Sequence, residues 1–186
     1  CTYSRNSVKE SVVKKGLTEI VVVIDKSGSM GAETEEVITG YNQFLDEQRK
    51  LPGEARVTLT LFDTAYNILY TRADLRDAMK LTNDTYRTGG MTALLDAVGR
   101  TIHEVGTKLA EEAEENRPEK VIFLVITDGH ENSSREYTLA KLKESIKGLK
   151  NLDVEWLLAG HGDIIAGAEK VKKNFDDVES FYFAYV

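Results

Sequence analysis

Three short segments of this 186-residue chain gather aspartates and small hydroxyl residues in a form that could do chemistry. They are Asp25-Lys26-Ser27-Gly28-Ser29-Met30-Gly31, Thr88-Gly89-Gly90-Met91-Thr92 and Thr127-Asp128-Gly129, and the two aspartate segments each follow an apolar run. A carboxylate at the end of a buried strand carries a desolvated charge that needs compensation. Apart from Lys26, neither aspartate loop offers a matching Arg or Lys. Small hydroxyls stand there instead. Oxygen donors of this kind suit a hard divalent cation, Mg²⁺ or Mn²⁺ in preference to zinc, with Ca²⁺ ranked behind. Thr92 is the better ligand of the middle segment, because Ala93-Leu94-Leu95 opens a helix directly behind it; Thr88 is the alternative. Gly89 and Gly90 permit a close backbone approach. Taken alone, Asp25, Ser27 and Ser29 read as caps in a strand-to-helix loop. Joined to Thr92 and Asp128, they read as a metal site.

Other chemistries fit less well. A serine hydrolase wants Gly-x-Ser-x-Gly on a strand-to-helix elbow, and Gly28-Ser29-Met30-Gly31 lacks that spacing. A phosphatase with Asp25 as nucleophile would need a second acid where Ser27 stands. Gly28 and Gly31 do not make a Gly-x-Gly-x-x-Gly dinucleotide loop. His103 falls mid-helix beside Ile102, His130 follows Asp128-Gly129 at the rim of the third segment, and His161 lies between glycines. All three read as helix or loop residues, with a rim role as the alternative for His130. Trp156 and the run Phe181, Tyr182, Phe183, Tyr185 read as core and strand residues.

The elements that must hold these loops follow from two apolar periods. Ile20 to Ile24 and Val121 to Ile126 are unbroken runs of the kind that parallel strands covered on both faces require. Val154 to Leu158 and Phe181 to Val186 extend the series. Val57, Leu59 and Leu61 alternate with Thr58 and Thr60, which predicts a half-covered strand. After the Asp63-Thr64-Ala65 turn, Tyr66 to Tyr70 reads as its antiparallel neighbour at the sheet edge. Helical stripes lie between: Val37, Ile38, Tyr41, Phe44, Leu45; Leu95, Val98, Ile102, Val105, Leu109; and Leu139, Leu142, Ile146, Leu149. A capping box from Ser133 to Glu136 is expected to open the third. A fourth stripe, Ile164, Ile165, Ala168, Val171 and Phe175, has Asp163 placed to cap it. Strands alternating with helices give an α/β fold with a mainly parallel sheet. In such sheets ligands bind beyond the carboxyl ends of the strands, where the aspartate loops fall.

Composition agrees with one acidic globular domain. Lys plus Arg number 24 against 31 Asp plus Glu, a formal charge of −7. That balance argues against a general nucleic-acid binder, whose affinity for phosphate needs clustered cations. The single cysteine, Cys1, excludes an internal disulfide and a Cys-rich zinc cage. No apolar run approaches the roughly 20 residues that a membrane-spanning helix needs. The acidic stretch Glu111 to Glu119 reads as a solvated helix end and loop, stopped by Pro118.

Asp25-x-Ser27-x-Ser29, Thr92 and Asp128, within Val-Ile-Asp-Lys-Ser-Gly-Ser-Met, Gly-Gly-Met-Thr-Ala-Leu-Leu-Asp-Ala and Ile-Thr-Asp-Gly, resemble the metal-ion-dependent adhesion site of the von Willebrand factor A domain. Bacterial and phage-type members are most similar in flavour, and the resemblance spans residues 17–186. It implies a doubly wound, Rossmann-like fold with a six-stranded sheet in the order 3-2-1-4-5-6, strand 3 antiparallel, and helices on both faces. It implies hydroxyl ligation by Ser27, Ser29 and Thr92, with Asp25 and Asp128 acting directly or through water. With neutral hydroxyls innermost, the cation stays electron-poor and keeps an exchangeable water that an Asp or Glu of a partner protein can replace.

The function expected on this reading is a non-catalytic protein–protein interaction module, with a metal-dependent hydrolase of phosphate esters or a structural scaffold as alternatives. A monomer is expected, with no nucleic acid partner. Residues 1–16 read as an N-terminal segment, and Val8, Val12 and Val13 suggest a helix within Ser4 to Lys15 that replaces the usual last helix of the family; a frayed arm is the alternative. The chain does not begin with Met, so Cys1 reads as a remnant of processing or engineering. A prokaryotic or phage cytoplasmic origin is expected, with an exported or lipid-anchored form as the alternative.

Overall fold

The computed structural model describes residues 13–128, 130–149 and 154–159. Its elements run β1 (Lys14–Asp25), α1 (Thr34–Gln48), β2 (Glu54–Phe62), β3 (Tyr66–Asp74), α2 (Leu94–Glu111), β4 (Pro118–Ile126), α3 (Leu139–Gly148) and β5 (Val154–Ala159), with short 3-10 turns over Gly28–Glu33 and Glu114–Asn116. Five strands form one sheet in the order β3-β2-β1-β4-β5. β1 is parallel to β2 and β4, β4 is parallel to β5, and β3 alone of the five is antiparallel to its neighbour. This is the expected α/β order over its first five places. The strand expected at 181–186, the helix at 164–175 and the segment 1–12 lie outside the described residues. The boundary drawn after residue 16 falls inside β1, which already includes Lys14, Lys15 and Gly16.

Central position explains the unbroken apolar run of β1. Ile20, Val22 and Ile24 join Val57, Leu59, Leu61, Ile122, Leu124 and Ile126 in a core covered by Val37, Tyr41, Phe44 and Leu45 of α1. Val21 and Val23 point the other way, with Val121, Phe123 and Val125, against Leu95, Val98, Ile102, Val105 and Leu109 of α2 and Leu142 of α3. A strand buried on both faces cannot alternate apolar with polar.

Three expectations need correction. β2 is not half covered: Thr58 and Thr60 are buried as well as Val57, Leu59 and Leu61, and the Thr58 hydroxyl accepts from Arg72 N at 3.0 Å. The buried Thr58 mimics polar alternation because its hydroxyl is satisfied by the neighbouring strand. The cap of α3 is Thr138, whose hydroxyl accepts from Lys141 N at 3.3 Å. Ser133 belongs to the preceding loop, and Glu136 pairs with Arg100. The acidic stretch is not solvent-facing throughout. Glu112, just past α2, turns inward to Arg72 and Arg56, and Pro118 opens β4.

Candidate metal centre

The carboxyl end of β1 carries the first loop, and its hydrogen bonds build a turn around one carboxylate. Asp25 is fully buried. Its Oδ1 accepts from Ser27 N at 2.7 Å, and its Oδ2 accepts from the Thr127 hydroxyl at 2.7 Å. The Ser27 and Ser29 hydroxyls are 3.0 Å apart, and the Ser29 hydroxyl donates to Asp128 Oδ1 at 3.0 Å. Four of the five expected residues thus belong to one connected cluster of oxygens, with Asp25 and Ser27 buried, Asp128 half-buried and Ser29 exposed. Burial pushes the Asp25 carboxyl above the ordinary aspartate value. The hydrogen bonds from Thr127 and Ser27 oppose that, and nearby Asp128 adds to it.

Thr92, buried, is fixed through its backbone. Its N–H donates to Asn132 Oδ1 at 2.9 Å, while its carbonyl accepts from Asn132 N at 3.0 Å and Ser133 N at 3.2 Å. The loop after β4 is therefore fastened to the segment before α2. Glu131 strengthens the joint by accepting from Leu95 N, Ser134 N and the Ser134 hydroxyl at 2.7–2.8 Å. Tyr137 of the same loop lies against Gly99 of α2, where a Cβ would stand 2.2 Å from its ring. Only glycine allows that approach.

The first and middle segments are joined backbone to backbone. Gly89 N donates to Lys26 O at 2.8 Å, and Gly28 N donates to Gly90 O at 3.1 Å. Gly90, at φ +74°, leaves room for Asp63 and Thr64 of the β2–β3 turn, and the Thr64 hydroxyl accepts from Met91 N at 2.9 Å. Thr88 is half-buried, its hydroxyl near Gly31. Lys26, the one cation of the first loop, is engaged by Asp63 in an ion pair with both side chains mostly buried. Met91 stands exposed at the rim, and His130 and His103 are exposed as well. His161 lies outside the described residues.

The donor set fits a hard divalent cation. Every cluster member is an oxygen donor, two are carboxylates, and Asp25 is desolvated among hydroxyls, an N–H and a second carboxylate. Among the described residues, no group of three or more His, Cys, Asp or Glu side chains is gathered as a metal cage.

A profile described as the von Willebrand factor type A domain matches residues 19–173. The chain belongs to the von Willebrand factor type A family. Members commonly mediate protein–protein interaction with metal binding. Among solved structures, the manganese-loaded TRAP protein of Plasmodium vivax is similar at 21% identity and a TM-score of 0.56, over 79% of this chain and 59% of that one. The ArnB paralog VWA2 from Sulfolobus acidocaldarius is similar at 20% identity and TM-score 0.47, over 78% of this chain and 34% of its own. A von Willebrand factor type A protein from Catenulispora acidiphila gives 16% identity and TM-score 0.49, over 78% and 33%. This chain thus spans between about a third and three fifths of those structures. None of the curated proteins matches.

Two functional-looking residues, Tyr86 and Asn132, escaped sequence reasoning, and a third, Thr127, reads only as part of its segment. Thr127 and Tyr86 hold Asp25 in place, and Asn132 holds Thr92. Thr127 adjoins Asp128 and was visible as a hydroxyl beside a carboxylate. Tyr86 and Asn132 gave no signal, because their partners are backbone atoms distant in sequence. Among the described residues, no helix is long and apolar enough to cross a membrane.

Proposed function

We propose that this domain is a non-catalytic interaction module that holds Mg²⁺ or Mn²⁺ through Asp25, Ser27, Ser29, Thr92 and Asp128 and engages an Asp or Glu of a partner protein there. The observation that carries the reading is Asp25: a fully buried carboxylate whose hydrogen bonds come from an N–H and a hydroxyl, within a chain of oxygens that reaches the surface at Ser29. Family membership supports it, as does the manganese carried by the TRAP structure. A bound cation would supply the positive charge that the cluster lacks and that attracts a carboxylate. Three of the five holders are neutral hydroxyls, so only Asp25 and Asp128 bring negative charge to the ion, and a partner's Asp or Glu would not meet a surplus of acids there. Met91, exposed beside Thr92, offers an apolar contact to whatever approaches.

Thermal unfolding after exhaustive chelation, then with Mg²⁺ or Mn²⁺ restored, tests this on the native chain and on Asp25→Ala. A cation that binds only the folded state adds about 2.7 kcal/mol at a hundredfold excess over Kd. A rise in Tm with metal, absent in Asp25→Ala, is expected. No rise at millimolar metal in the native chain would overturn the reading.

A further inference from the structure

Tyr86 is a core residue, fully buried on the α1 side of the sheet, yet its hydroxyl reaches the first loop and donates to the carbonyl of Asp25 at 2.6 Å. The contact occurs where strand pairing runs out. Ile24 with Ile126 is the last pair of β1 with β4, and Asp25 with Phe62 is the last with β2.

The peptide that joins Asp25 to Lys26 is thereby pinned at both ends. Its carbonyl accepts from Tyr86, and its N–H donates to Phe62 O at 2.7 Å. The next peptide is pinned likewise, by Gly89 N on the Lys26 carbonyl and by Asp25 Oδ1 on Ser27 N. Gly28 N to Gly90 O continues the series. Residues 86–90 thus grip residues 25–28 from behind. Every contact of that grip is made by backbone atoms except at Tyr86 and Asp25, so the Tyr86 hydroxyl is the component a side-chain substitution can remove cleanly. Tyr86 is itself anchored, its N–H donating to Thr82 O at 2.9 Å within the Thr82–Thr85 turn. Facing a carbonyl, which can only accept, the phenol hydroxyl is the donor.

We propose that Tyr86 is a positioning residue for the cation site: by fixing the Asp25–Lys26 peptide it sets the direction of the Asp25 carboxylate and the placement of Ser27. This rests on the reading of the cluster as a metal site. A released peptide can tilt, and the tilt moves a carboxylate whose geometry the ion demands. Mg²⁺ requires near-ideal octahedral geometry, whereas Ca²⁺ tolerates irregular shells. The effect is therefore expected to depend on the ion, which a purely structural role would not produce.

The test is Tyr86→Phe, which keeps the ring in the core and removes the hydroxyl alone. Tyr41→Phe is the control, since it removes another buried phenol contact, with Tyr70, between α1 and β3. Dissociation constants for Mn²⁺ are read from the electron paramagnetic resonance signal of the free ion, and those for Mg²⁺ and Ca²⁺ by displacement. The ordinary net worth of one hydrogen bond corresponds to roughly a five- to tenfold change. Tyr86→Phe is expected to weaken Mg²⁺ binding about five- to tenfold and Ca²⁺ binding less, with Tyr41→Phe at the native value. Incorporating 3-fluorotyrosine at position 86 restores the hydroxyl and should restore affinity. Equal affinity in Tyr86→Phe and the native chain, or equal loss in Tyr41→Phe, would overturn the inference while leaving the metal site standing. No ion binding to the native chain would overturn both. Unfolding in chelator reads the structural contribution separately: if Tyr86→Phe lowers Tm there but leaves every Kd unchanged, the hydroxyl only supports the fold and the inference is overturned.

Discussion

Glu19 and Asp25 are two fully buried carboxylates on the same strand, and the protein treats them in opposite ways. Midway along β1, both oxygens of Glu19 accept from Arg72 Nε at 3.1 Å, and Arg72 goes on to Glu112 at 2.9 Å, which takes Arg56 at 3.1 Å. Arg72 reaches them from the edge strand through a left-handed backbone at φ 49°, beside an irregular stretch of the β2–β3 ladder. A non-glycine residue in that region costs energy and persists only where its surroundings hold it. At the carboxyl end, Asp25 has hydroxyls, an N–H and another acid around it, and the nearby Lys26 is engaged by Asp63. Burial pushes both carboxyls upward. Arg72 opposes the rise at Glu19, whereas only hydrogen bonds oppose it at Asp25. A buried charge that carries its own counter-charge is a closed structural network; one without it leaves room for the cation proposed above.

The comparison can be broken most severely at Arg72. Arg72→Ala strands Glu19 in the interior and should cost about 3–5 kcal/mol in urea unfolding. Adding Glu19→Gln to it should recover part of the loss; no recovery would show that the arginine matters for packing and not for charge. Asp25→Asn sharpens the contrast with the opposite sign. In chelator it should leave stability unchanged or raise it by up to about 1 kcal/mol, because it removes an uncompensated buried charge. A clear loss in chelator would mean that Asp25 is compensated from within, as Glu19 is.

The smallest expected effect concerns pH. Burial raises Glu112, but hydrogen bonds and charges from Arg72 and Arg56 outweigh it and hold the carboxyl below the ordinary glutamate value. A carboxyl depressed in the fold contributes stability above its ordinary value, and that is lost as pH falls through the folded value. Glu19 is raised and acts with the opposite sign, so the two offset one another in acid. Glu112→Gln should be about 1 kcal/mol less stable than the native chain at neutral pH, with the gap closing below the ordinary glutamate range. A gap that stayed constant from neutral to acid pH would dissociate Glu112 from the network.

Legibility in the sequence followed the same division. Ile20 to Ile24 and Val121 to Ile126 announced central strands because a two-sided core leaves no polar position to confuse the pattern. The aspartate loops stood out because acids and hydroxyls end those runs. Glu19 was invisible for the converse reason: one acid at the entrance to an apolar run looks like a surface residue, and its partner lies on a strand remote in sequence. Thr58 and Thr60 misled because alternation reports polarity, not exposure, and threonine is polar enough to suggest water where α2 lies. Ser133 matched a capping pattern, but Thr138 is where the chain turns into α3.

The bonds that close the cluster join residues far apart along the chain: Ser29 to Asp128 spans 99 positions and Thr127 to Asp25 spans 102. Contacts of such high sequence separation require most of the sheet to be in place before they can form. A cation held there meets its full set of ligands only after the rate-limiting step of folding. Its stabilisation should then appear almost entirely as slower unfolding, with the refolding arm of a chevron unmoved. The ion would act as a lock on the finished molecule and not as a nucleus for making it, and the lifetime of the native state would follow its concentration.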